Sequence, residues 1–376
     1  MSEPDPRVRL ARAYLARVAE PPAPALTRFV DTLGPVEAAT RVRTGEVPNE
    51  VASATEARRE IDKAEADLAA AHALGARLLI PEDPDWPSWQ FAAFGPAGLT
   101  GPLALWVHGN GALADVVERS VAIVGSRAAT AYGEEIAHEF GAGLADLGVT
   151  VTSGAAVGID AAAHRGALRR HGRTVAVVAC GLDWPYPAAH TGLYKRILAG
   201  GGLVVSEYPP GARPAKHRFL IRNRLIAALS NGTVVVEAGA RSGATNTAAH
   251  TTALGRPLMA VPGPVTSAMS IGTLALLRAE HAVPVGTAGQ VVEAIGRLGV
   301  DLAEGPRGDL RDTDGLEPEA LRVHEALPLR PGAHAEQLAV EAGLPLAKVR
   351  AVLPMLELVG LAQTSDEGWH RPARDR

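Results

Sequence analysis

Cysteine and long apolar runs are almost absent from this chain. The 376-residue sequence has a single cysteine, Cys180, so no disulfide can form within the chain and a reducing compartment suits it. No apolar run approaches the roughly 18 residues that a membrane-spanning helix needs. The N-terminal segment also lacks the continuous apolar core of a signal peptide. We therefore expect a soluble, cytoplasmic protein with no membrane partner.

Several catalytic and cofactor signatures are also missing. The sequence has neither the GxGxxG fingerprint nor the GxxxxGK[ST] phosphate loop, which disfavours nicotinamide chemistry and P-loop ATP hydrolysis. One cysteine and scattered histidines give no metal-site spacing. Ser153, Asp160 and His164 have the residue types of a hydrolytic triad, but no GxSxG elbow accompanies them, and Asp160 is more simply a helix N-cap. We expect no metal and no cofactor.

Acidic residues are scarce in one part of a chain whose formal net charge is -4. Residues 100–298 hold 17 Lys and Arg against 12 Asp and Glu, whereas the segments on either side are acidic. Within this region residues 213–224, RPAKHRFLIRNR, hold five basic residues and no acid; we call them the basic tract. Local positive charge favours a polyanion partner, most often nucleic acid. A solvated surface loop is the alternative.

Short apolar runs recur from residue 103 onward, and amphipathic helical patterns lie between several of them. The runs are 103–107, 121–125, 149–154, 174–181, 202–207, 233–238 and 257–263. Continuous β-branched runs that alternate with helices are typical of βαβ units. The sequence therefore predicts an α/β fold with a Rossmann-like parallel sheet covered by helices.

The two ends of the chain are predicted to be helical. The N-terminal part contains short helices separated by prolines and an Ala- and charge-rich helix over 52–74, and 81–102 is a connecting segment. After a polar stretch, three helical patterns and a short hairpin give the outline of a winged helix. The predicted domains are 1–75 (a helical domain of the SAM or helix-hairpin kind), 76–298 (Rossmann-like, DNA-binding), 299–318 (linker) and 319–376 (winged-helix-like).

Turns rich in glycine and hydroxyl groups follow three of the predicted strands. Ligands of open parallel sheets bind outside the carboxyl ends of the strands, where helix N-termini present unpaired N–H groups to anions. We expect one phosphate at Ser126 and Arg127 and another at Ser242 and Gly243. For any single loop, the need of a tight turn for glycine is an equal explanation.

The basic tract contains residue types suited to single-stranded nucleic acid. Arg222 and Arg224 offer forked donors to phosphate oxygens, and Asn223 offers an amide that can read a base edge. Phe219 is suited to stack on an unpaired base. Together with Lys216, these residues would form an electropositive pocket if they meet the strand end that carries Arg127.

Taken in order, several peptides resemble the DNA-processing protein A family (DprA, also called Smf). They span roughly 100–290 and include VAIVGSR, SGAAVGIDAAAH, GRTVAVVACGLDWPYP, SEYPPG, RNRLIAALS, VVVEAGARSGATNTA and GRPLMAVPGPVTSAMSIG. The resemblance implies a non-enzymatic, dimeric protein that binds single-stranded DNA and helps load the recombinase RecA during natural transformation or recombination.

The resemblance also implies where DNA binds. By the resemblance, Arg127, Lys216, Phe219, Arg222 and Asn223 form the DNA pocket, and Ser126, Ser242 and Gly243 add backbone-level phosphate contacts. Gly125 and Arg224 complete the set of predicted DNA-binding residues. The chain departs from the family pattern at Leu220–Ile221, where FP is common before the RN pair, at Leu274, and at Glu280–His281.

Two other functions remain as alternatives. A nucleotide-binding enzyme of the lysine-decarboxylase-like or phosphoribohydrolase type carries PGGxGTxxE at the equivalent loop, but here no glutamate follows that loop before Leu254. A regulator that reads duplex DNA would use the helix over 345–359. That helix offers Lys348 and Arg350 against Glu357, in a segment of net charge -5.

Overall fold

The computed structural model describes residues 4–296, 300–303 and 312–372. The chain divides into two compact units, residues 1–303 and 304–376. Among the described residues no helix is both long and apolar enough to cross a membrane.

The first unit is built on a nine-stranded sheet. Its strands, in chain order, are β1 Ala76–Leu79, β2 Leu105–His108, β3 Ser120–Val124, β4 Thr150–Ser153, β5 Thr174–Val178, β6 Leu203–Ser206, β7 Gly232–Val235, β8 Leu258–Ala260 and β9 Val283–Pro284. Their spatial order is β1-β2-β6-β5-β4-β3-β7-β8-β9. Strands β3 to β9 pair in parallel, whereas β2 pairs antiparallel with both β1 and β6. The mostly parallel α/β sheet is confirmed, and each of the seven apolar runs overlaps a strand.

Helices cover both faces of this sheet. The helices of the first unit are α1 Pro6–Val18, α2 Pro24–Leu33, α3 Pro35–Thr44, α4 Asn49–Thr55, α5 Ala64–Ala73, α6 Ser88–Ala92, α7 Leu113–Val117, α8 Ala131–Asp146, α9 Ile159–Arg169, α10 Thr191–Ala199, α11 Lys216–Ala228, α12 Ala244–Ala253, α13 Ile271–Arg278 and α14 Ala288–Ile295, with short 3-10 helices at Ala188–His190 and Ala268–Ser270. One hydrophobic cluster joins α8, α9 and α14 to the sheet, and another joins α11 and α12 to it.

The N-terminal helices share a core with the antiparallel edge of the sheet. Tyr14 and Leu26 pack in one cluster with Leu78 of β1 and Trp106 of β2. The single helix expected over 52–74 is wrong, because the chain leaves α4 after Thr55 and re-enters helix only at Ala64. At this break the backbone carbonyl of Arg59 accepts a hydrogen bond from the Tyr14 hydroxyl at 2.9 Å.

The second unit contains three helices and a two-stranded antiparallel sheet. They are α15 Pro318–Ala326, α16 Ala335–Ala342, α17 Leu346–Leu358, β10 Gln363–Ser365 and β11 Gly368–His370. Val323, Leu338 and Leu353 are buried in its core. The elements match those expected after residue 318, but the winged-helix assignment and the four domain boundaries stay predictions. Of the expected linker, residues 299 and 304–311 lie outside the described part.

Candidate nucleic-acid interface

A pocket of about 550 Å³ opens at the carboxyl ends of β3, β4 and β7. Four segments form most of its lining, and each contributes small or basic residues. They are the turn Gly125–Ala128 after β3, Ala156 and Asp160 around the start of α9, the α11 residues Phe219, Leu220, Arg222 and Asn223, and Gly239–Ala244 leading into α12. Met269 also lines the pocket. This is the position at which open parallel sheets bind their ligands.

The turn after β3 is fixed by a buried glutamate that the sequence did not single out. The Ser126 N–H donates to the backbone carbonyl of Glu237 at 2.8 Å. The Glu237 carboxylate accepts hydrogen bonds from the Thr130 N–H at 2.9 Å and the Thr130 hydroxyl at 2.6 Å. Because Glu237 is buried beside β7, it ties the segment that carries Arg127 to the sheet.

Two glycines allow the elements to approach one another at the pocket. Gly158 has a φ of +80°, and a Cβ added there would lie 2.9 Å from the Arg127 carbonyl oxygen. A Cβ on Gly154 would lie 2.6 Å from Nη2 of Arg222. The close packing lets the Ile159 N–H donate to the Ser126 carbonyl at 3.3 Å.

Arg127 and Phe219 lie next to each other at the pocket. The Arg127 guanidinium carbon lies 5.0 Å from the centroid of the Phe219 ring. Arg127 is exposed and Phe219 is half-buried, so both side chains are accessible from solvent. A guanidinium beside an accessible ring provides a phosphate donor next to a base-stacking surface.

Arg222 lies at the floor of the pocket and is buried. Its Nη1 group donates to the Gly154 carbonyl at 2.9 Å and to the Val177 carbonyl. Burial lowers its pKa, and the facing carboxylate of Asp160 opposes that shift. Burial likewise raises the pKa of Asp160, against the attraction of Arg222. The guanidinium therefore hydrogen-bonds to two backbone carbonyls near the carboxyl ends of β4 and β5, and it also lines the pocket.

The sequence suggested that Asp160 is the N-cap of α9. This expectation is wrong, because Gly158 occupies the N-cap position. The Asp160 carboxylate instead accepts hydrogen bonds from the N–H groups of Gly154 at 3.2 Å and Ala156 at 3.3 Å. Asp160 thus stabilises the turn that leads from β4 into the helix.

Asn223 connects α11 to the start of α12. Its amide nitrogen donates to Oδ1 of Asn246 at 3.1 Å and to the Gly243 carbonyl at 3.4 Å. The Ser242 hydroxyl accepts a hydrogen bond from the Ala244 N–H at 3.2 Å. Asn223 therefore positions the turn of Ser242 and Gly243, and a role for its amide in reading a base stays a prediction.

Arg224 lies outside the pocket, and its expected role as a forked phosphate donor does not fit its position. Its side chain is buried, and Nη2 donates to both carboxylate oxygens of buried Glu207, at 2.6 and 2.7 Å. The reason is helical geometry: at about 100° per residue, positions two apart lie roughly 200° apart around the axis. If Arg222 faces the pocket, Arg224 must face away from it.

Two other side chains of the basic tract contact one glutamate, and a third is exposed. Arg218 is ion-paired with Glu20 at 2.7 Å, and His217 lies 3.2 Å from the same carboxylate. Lys216 is exposed at the first position of α11 but does not line the pocket, so its contact with DNA stays a prediction.

The pocket itself carries a positive formal charge. Of the described residues that line it, three are arginines, Arg127, Arg222 and Arg241, and one carries a carboxylate, Asp160. Arg241 was not among the predicted residues, although it belongs to the quoted peptide AGARSGATNTA. Its position in a glycine-rich turn before a helix was the signal that could have identified it.

The structure does not bring the residue types of a hydrolytic triad into a catalytic arrangement. The Ser153 hydroxyl donates to the Ile123 carbonyl at 2.6 Å, and Nδ1 of His164 lies 2.7 Å from the Thr174 hydroxyl. Burial raises the pKa of Cys180 to about 11, so its thiol is un-ionised at neutral pH. The described residues contain no group of three potential metal ligands.

Comparisons with known proteins agree in pointing to one family. The model of the family described as DNA recombination-mediator protein A matches residues 77–296. A Mycobacterium tuberculosis protein that carries the name DNA processing protein DprA is 51% identical over 371 residues, which cover 97% of this chain and 94% of that protein. Protein Smf of Escherichia coli is 35% identical over 281 residues, 73% of this chain and 72% of that protein.

Solved structures give the same result for the fold. The X-ray structure of DNA processing protein A from Streptococcus pneumoniae matches with a TM-score of 0.62 and 27% identity, covering 79% of this chain and 100% of that one. A structure of DNA processing protein A from Helicobacter pylori, described for its single-stranded DNA binding mode, matches with a TM-score of 0.50 and 27% identity, covering 59% and 96%.

Proposed function

We propose that this chain, which belongs to the DNA recombination-mediator protein A family, binds single-stranded DNA in the pocket at the carboxyl ends of β3, β4 and β7. The family is one of DNA-processing mediators rather than enzymes. The observation that carries the proposal is the pairing of the Arg127 guanidinium with the accessible ring of Phe219, 5.0 Å apart, beside a positively charged pocket.

In this proposal each segment has a separate role. Arg127 and the N–H groups at the starts of α9 and α12 hold phosphates, because helix N-termini attract anions. Phe219 stacks on a base, which requires no particular sequence since every base has a π-face. Gly125, Ser126, Ser242 and Gly243 let the backbone approach the strand, while Arg222 and Asn223 position these turns.

The preference for a single strand follows from the aromatic ring. A base inside a duplex is already stacked on its neighbours and cannot lie on Phe219 without being flipped out, which costs a few kcal/mol. Sequence-tolerant binding through one ring and a few phosphate donors therefore favours DNA that is already single-stranded.

The experiment is filter binding of the full chain to oligo-dT across a salt series. Arg127→Ala should weaken binding and flatten the log–log salt slope by about 0.7, the value for one phosphate contact on a single strand. The matched control is Arg173→Ala, which removes an exposed arginine just before β5, at the amino ends of the parallel strands and thus away from the pocket at their carboxyl ends. Equal affinities and slopes for both variants would show that the pocket is not the DNA site.

We further propose that this chain, bound to single-stranded DNA, helps load RecA onto that DNA. We also propose that it acts as a homodimer and works in the cytoplasm during recombination or natural transformation. Family membership supports these steps. The test is RecA filament formation on DNA already covered by single-strand-binding protein. The wild-type chain should accelerate it and Arg127→Ala should not, while sedimentation gives the oligomeric state. No acceleration by a wild-type chain that binds DNA normally would refute the loading step alone.

The alternative of a nucleotide-processing enzyme is not favoured. The only carboxylate among the described residues that line the pocket is Asp160, and it is buried, engaged by two backbone N–H groups and faced by Arg222. Release of free base from nucleoside monophosphates would revive that alternative.

A further inference from the structure

Two exposed aromatic rings lie on the loop 181–187, beside the pocket. Trp184 is 42% exposed and Tyr186 is 44% exposed. The Tyr186 ring lies 5.4 Å from the ring of Phe219, centroid to centroid, with an interplanar angle of 44°. Because Phe219 lines the pocket, Tyr186 extends the aromatic surface outward from it. We call Phe219, Tyr186 and Trp184 the aromatic strip.

Guanidinium groups accompany both ends of the aromatic strip. The Arg127 guanidinium carbon lies 5.0 Å from the Phe219 centroid, and that of Arg213 lies 5.5 Å from the Trp184 centroid. Rings flanked by arginines suit an unpaired strand, since the rings stack on bases and the cations meet phosphates. The Arg213 side chain is exposed to solvent and lies over the ring of Trp184.

The loop that carries the two rings is firmly held. The Asp183 carboxylate accepts the Gly211 N–H at 2.9 and 3.0 Å, and the Gly181 N–H donates to the Ala212 carbonyl at 2.8 Å. The Tyr194 hydroxyl donates to the Tyr186 carbonyl at 2.7 Å. A loop backbone held in this way loses little conformational freedom when a ligand stacks on the rings it carries, which favours binding.

We propose that the aromatic strip is a second nucleotide-binding surface, on which bases next to the one in the pocket stack along Tyr186 and Trp184 while Arg213 contacts a phosphate. Trp184 and Tyr186 are two positions apart, so their Cα atoms lie no more than about 7.6 Å from each other. The proposal places neighbouring nucleotides of one strand on the two rings. This inference rests on the proposed function, because it extends the path of the same strand beyond the pocket.

The experiment compares two lengths of oligo-dT, about 4 and about 16 nucleotides, which bracket common site sizes of single-strand binders. Trp184→Ala and Tyr186→Ala in the full chain should each lower affinity for the longer oligonucleotide about 5-fold or more, the lower bound for a stacked base. Affinity for the shorter one should change much less. Trp89→Ala is the matched control, since Trp89 is 82% exposed on α6, outside the strip.

Tryptophan fluorescence gives an independent readout. The longer oligonucleotide should quench the emission of the wild-type chain, and Trp184→Phe should lose most of that quenching while Trp89→Phe keeps it. Trp184→Ala and Tyr186→Ala variants that bind both lengths as Trp89→Ala does would overturn the proposal. A change in sedimentation without a change in affinity would also overturn it and would assign the strip to a protein contact.

The Arg127→Ala variant separates this proposal from the proposed function. If the pocket binds DNA, Arg127→Ala weakens binding of both lengths, whereas the strip variants act on the longer one alone. If Arg127→Ala binds both lengths normally, the pocket is not the DNA site. Any loss of affinity in the strip variants then comes from a DNA contact that does not continue from the pocket.

Discussion

Arg224 illustrates how a single position in a helix decides whether an arginine binds a ligand or supports the fold. Its guanidinium lies in the interior against the carboxylate of Glu207, and its Nε and Nη1 atoms have no hydrogen-bond partner among the described residues. Burial raises the pKa of Glu207, while the charge and hydrogen bonds of Arg224 act against that shift. The pair is therefore costly to bury and more costly to break.

We expect Arg224→Ala to lower the free energy of unfolding by about 3–5 kcal/mol, because it leaves the Glu207 charge buried and unpaired. Urea denaturation measures this loss. The matched control, Arg28→Ala, breaks an exposed pair with Glu50 and should cost about 0–1 kcal/mol. At a temperature where the variant is folded, Arg224→Ala should bind oligo-dT normally. A stable variant with lost DNA binding would return Arg224 to the interface.

His164 makes a second residue-scale prediction, for pH dependence. The Thr174 hydroxyl donates to the Val151 carbonyl at 2.6 Å, so it accepts from Nδ1–H of His164. The buried Nε2 of His164 has no hydrogen-bond partner in the described part of the chain. Burial lowers the pKa of His164 to about 3. The unfolded chain, with a histidine pKa of about 6.5, therefore binds a proton more readily than the native protein, and stability falls as the pH drops below that value.

Between pH 7 and pH 5 this group alone should remove about 2 kcal/mol of the free energy of unfolding. The measurement is urea denaturation at several pH values for the wild type and for His164→Asn. The variant is expected to be less stable overall but to show a shallower fall over this range, because its amide does not titrate. Parallel pH profiles for the two proteins would contradict a buried, neutral His164.

The sequence identified the residue types of the pocket better than their roles. Gly125, Ser126, Arg127, Phe219, Arg222, Asn223, Ser242 and Gly243 all line it. The orientation of neighbours on α11 depends on which face the sheet covers, and the basic tract has no apolar periodicity to reveal that face. Glu237 was missed because a glutamate that ends a β-branched run gives no sign of its partners, which are at Thr130, more than 100 positions earlier.

At the scale of elements, the pocket depends on the first turn of α8. The Thr130 hydroxyl caps this helix by accepting the Gly133 N–H at 3.1 Å, and it donates to Glu237 at the same time. One side chain thus starts the helix and fixes the loop that carries Arg127. Gly133 leaves room for the glutamate, since a Cβ there would lie 2.9 Å from Cγ of Glu237.

We expect Thr130→Ala to lower the free energy of unfolding by about 2 kcal/mol, from the loss of a helix cap and of a hydrogen bond to a charged group. It should also weaken oligo-dT binding, because the Arg127 loop is no longer held. Thr130→Ser keeps the hydroxyl and should resemble the wild type in both urea denaturation and filter binding. A Thr130→Ala variant that is destabilised but binds normally would show that the loop needs no such support.

Short elements marked the limit of prediction at this scale. Strand β1 has only four residues and includes Arg77, whose guanidinium donates to the Gly109 carbonyl at 2.8 Å and the Gly111 carbonyl at 2.7 Å. A charge in the middle of so short a run removes the apolar signal of a strand. The antiparallel pairing of β2 with β6 was equally hidden, because a buried run has the same composition in either direction.

At the scale of the whole molecule, every residue assigned to the pocket and to the aromatic strip belongs to the first compact unit. The second unit has a core of its own around Val323, Leu338 and Leu353. Its two basic residues on α17 are already paired, Lys348 with Glu319 and Arg350 with Glu336 at 2.5 Å. A helix whose cations are neutralised in this way has little attraction for duplex phosphates.

We therefore expect the isolated fragment 312–376 to fold but to leave duplex DNA unprotected in footprinting, even at low salt, where electrostatic binding is strongest. Circular dichroism verifies that the fragment is helical. The matched variant Glu319→Gln/Glu336→Gln releases both cations and should gain measurable duplex affinity if charge pairing is what prevents binding. A footprint from the unaltered fragment would mean that this unit reads duplex DNA, and the chain would then carry a DNA-binding surface on each of its two units.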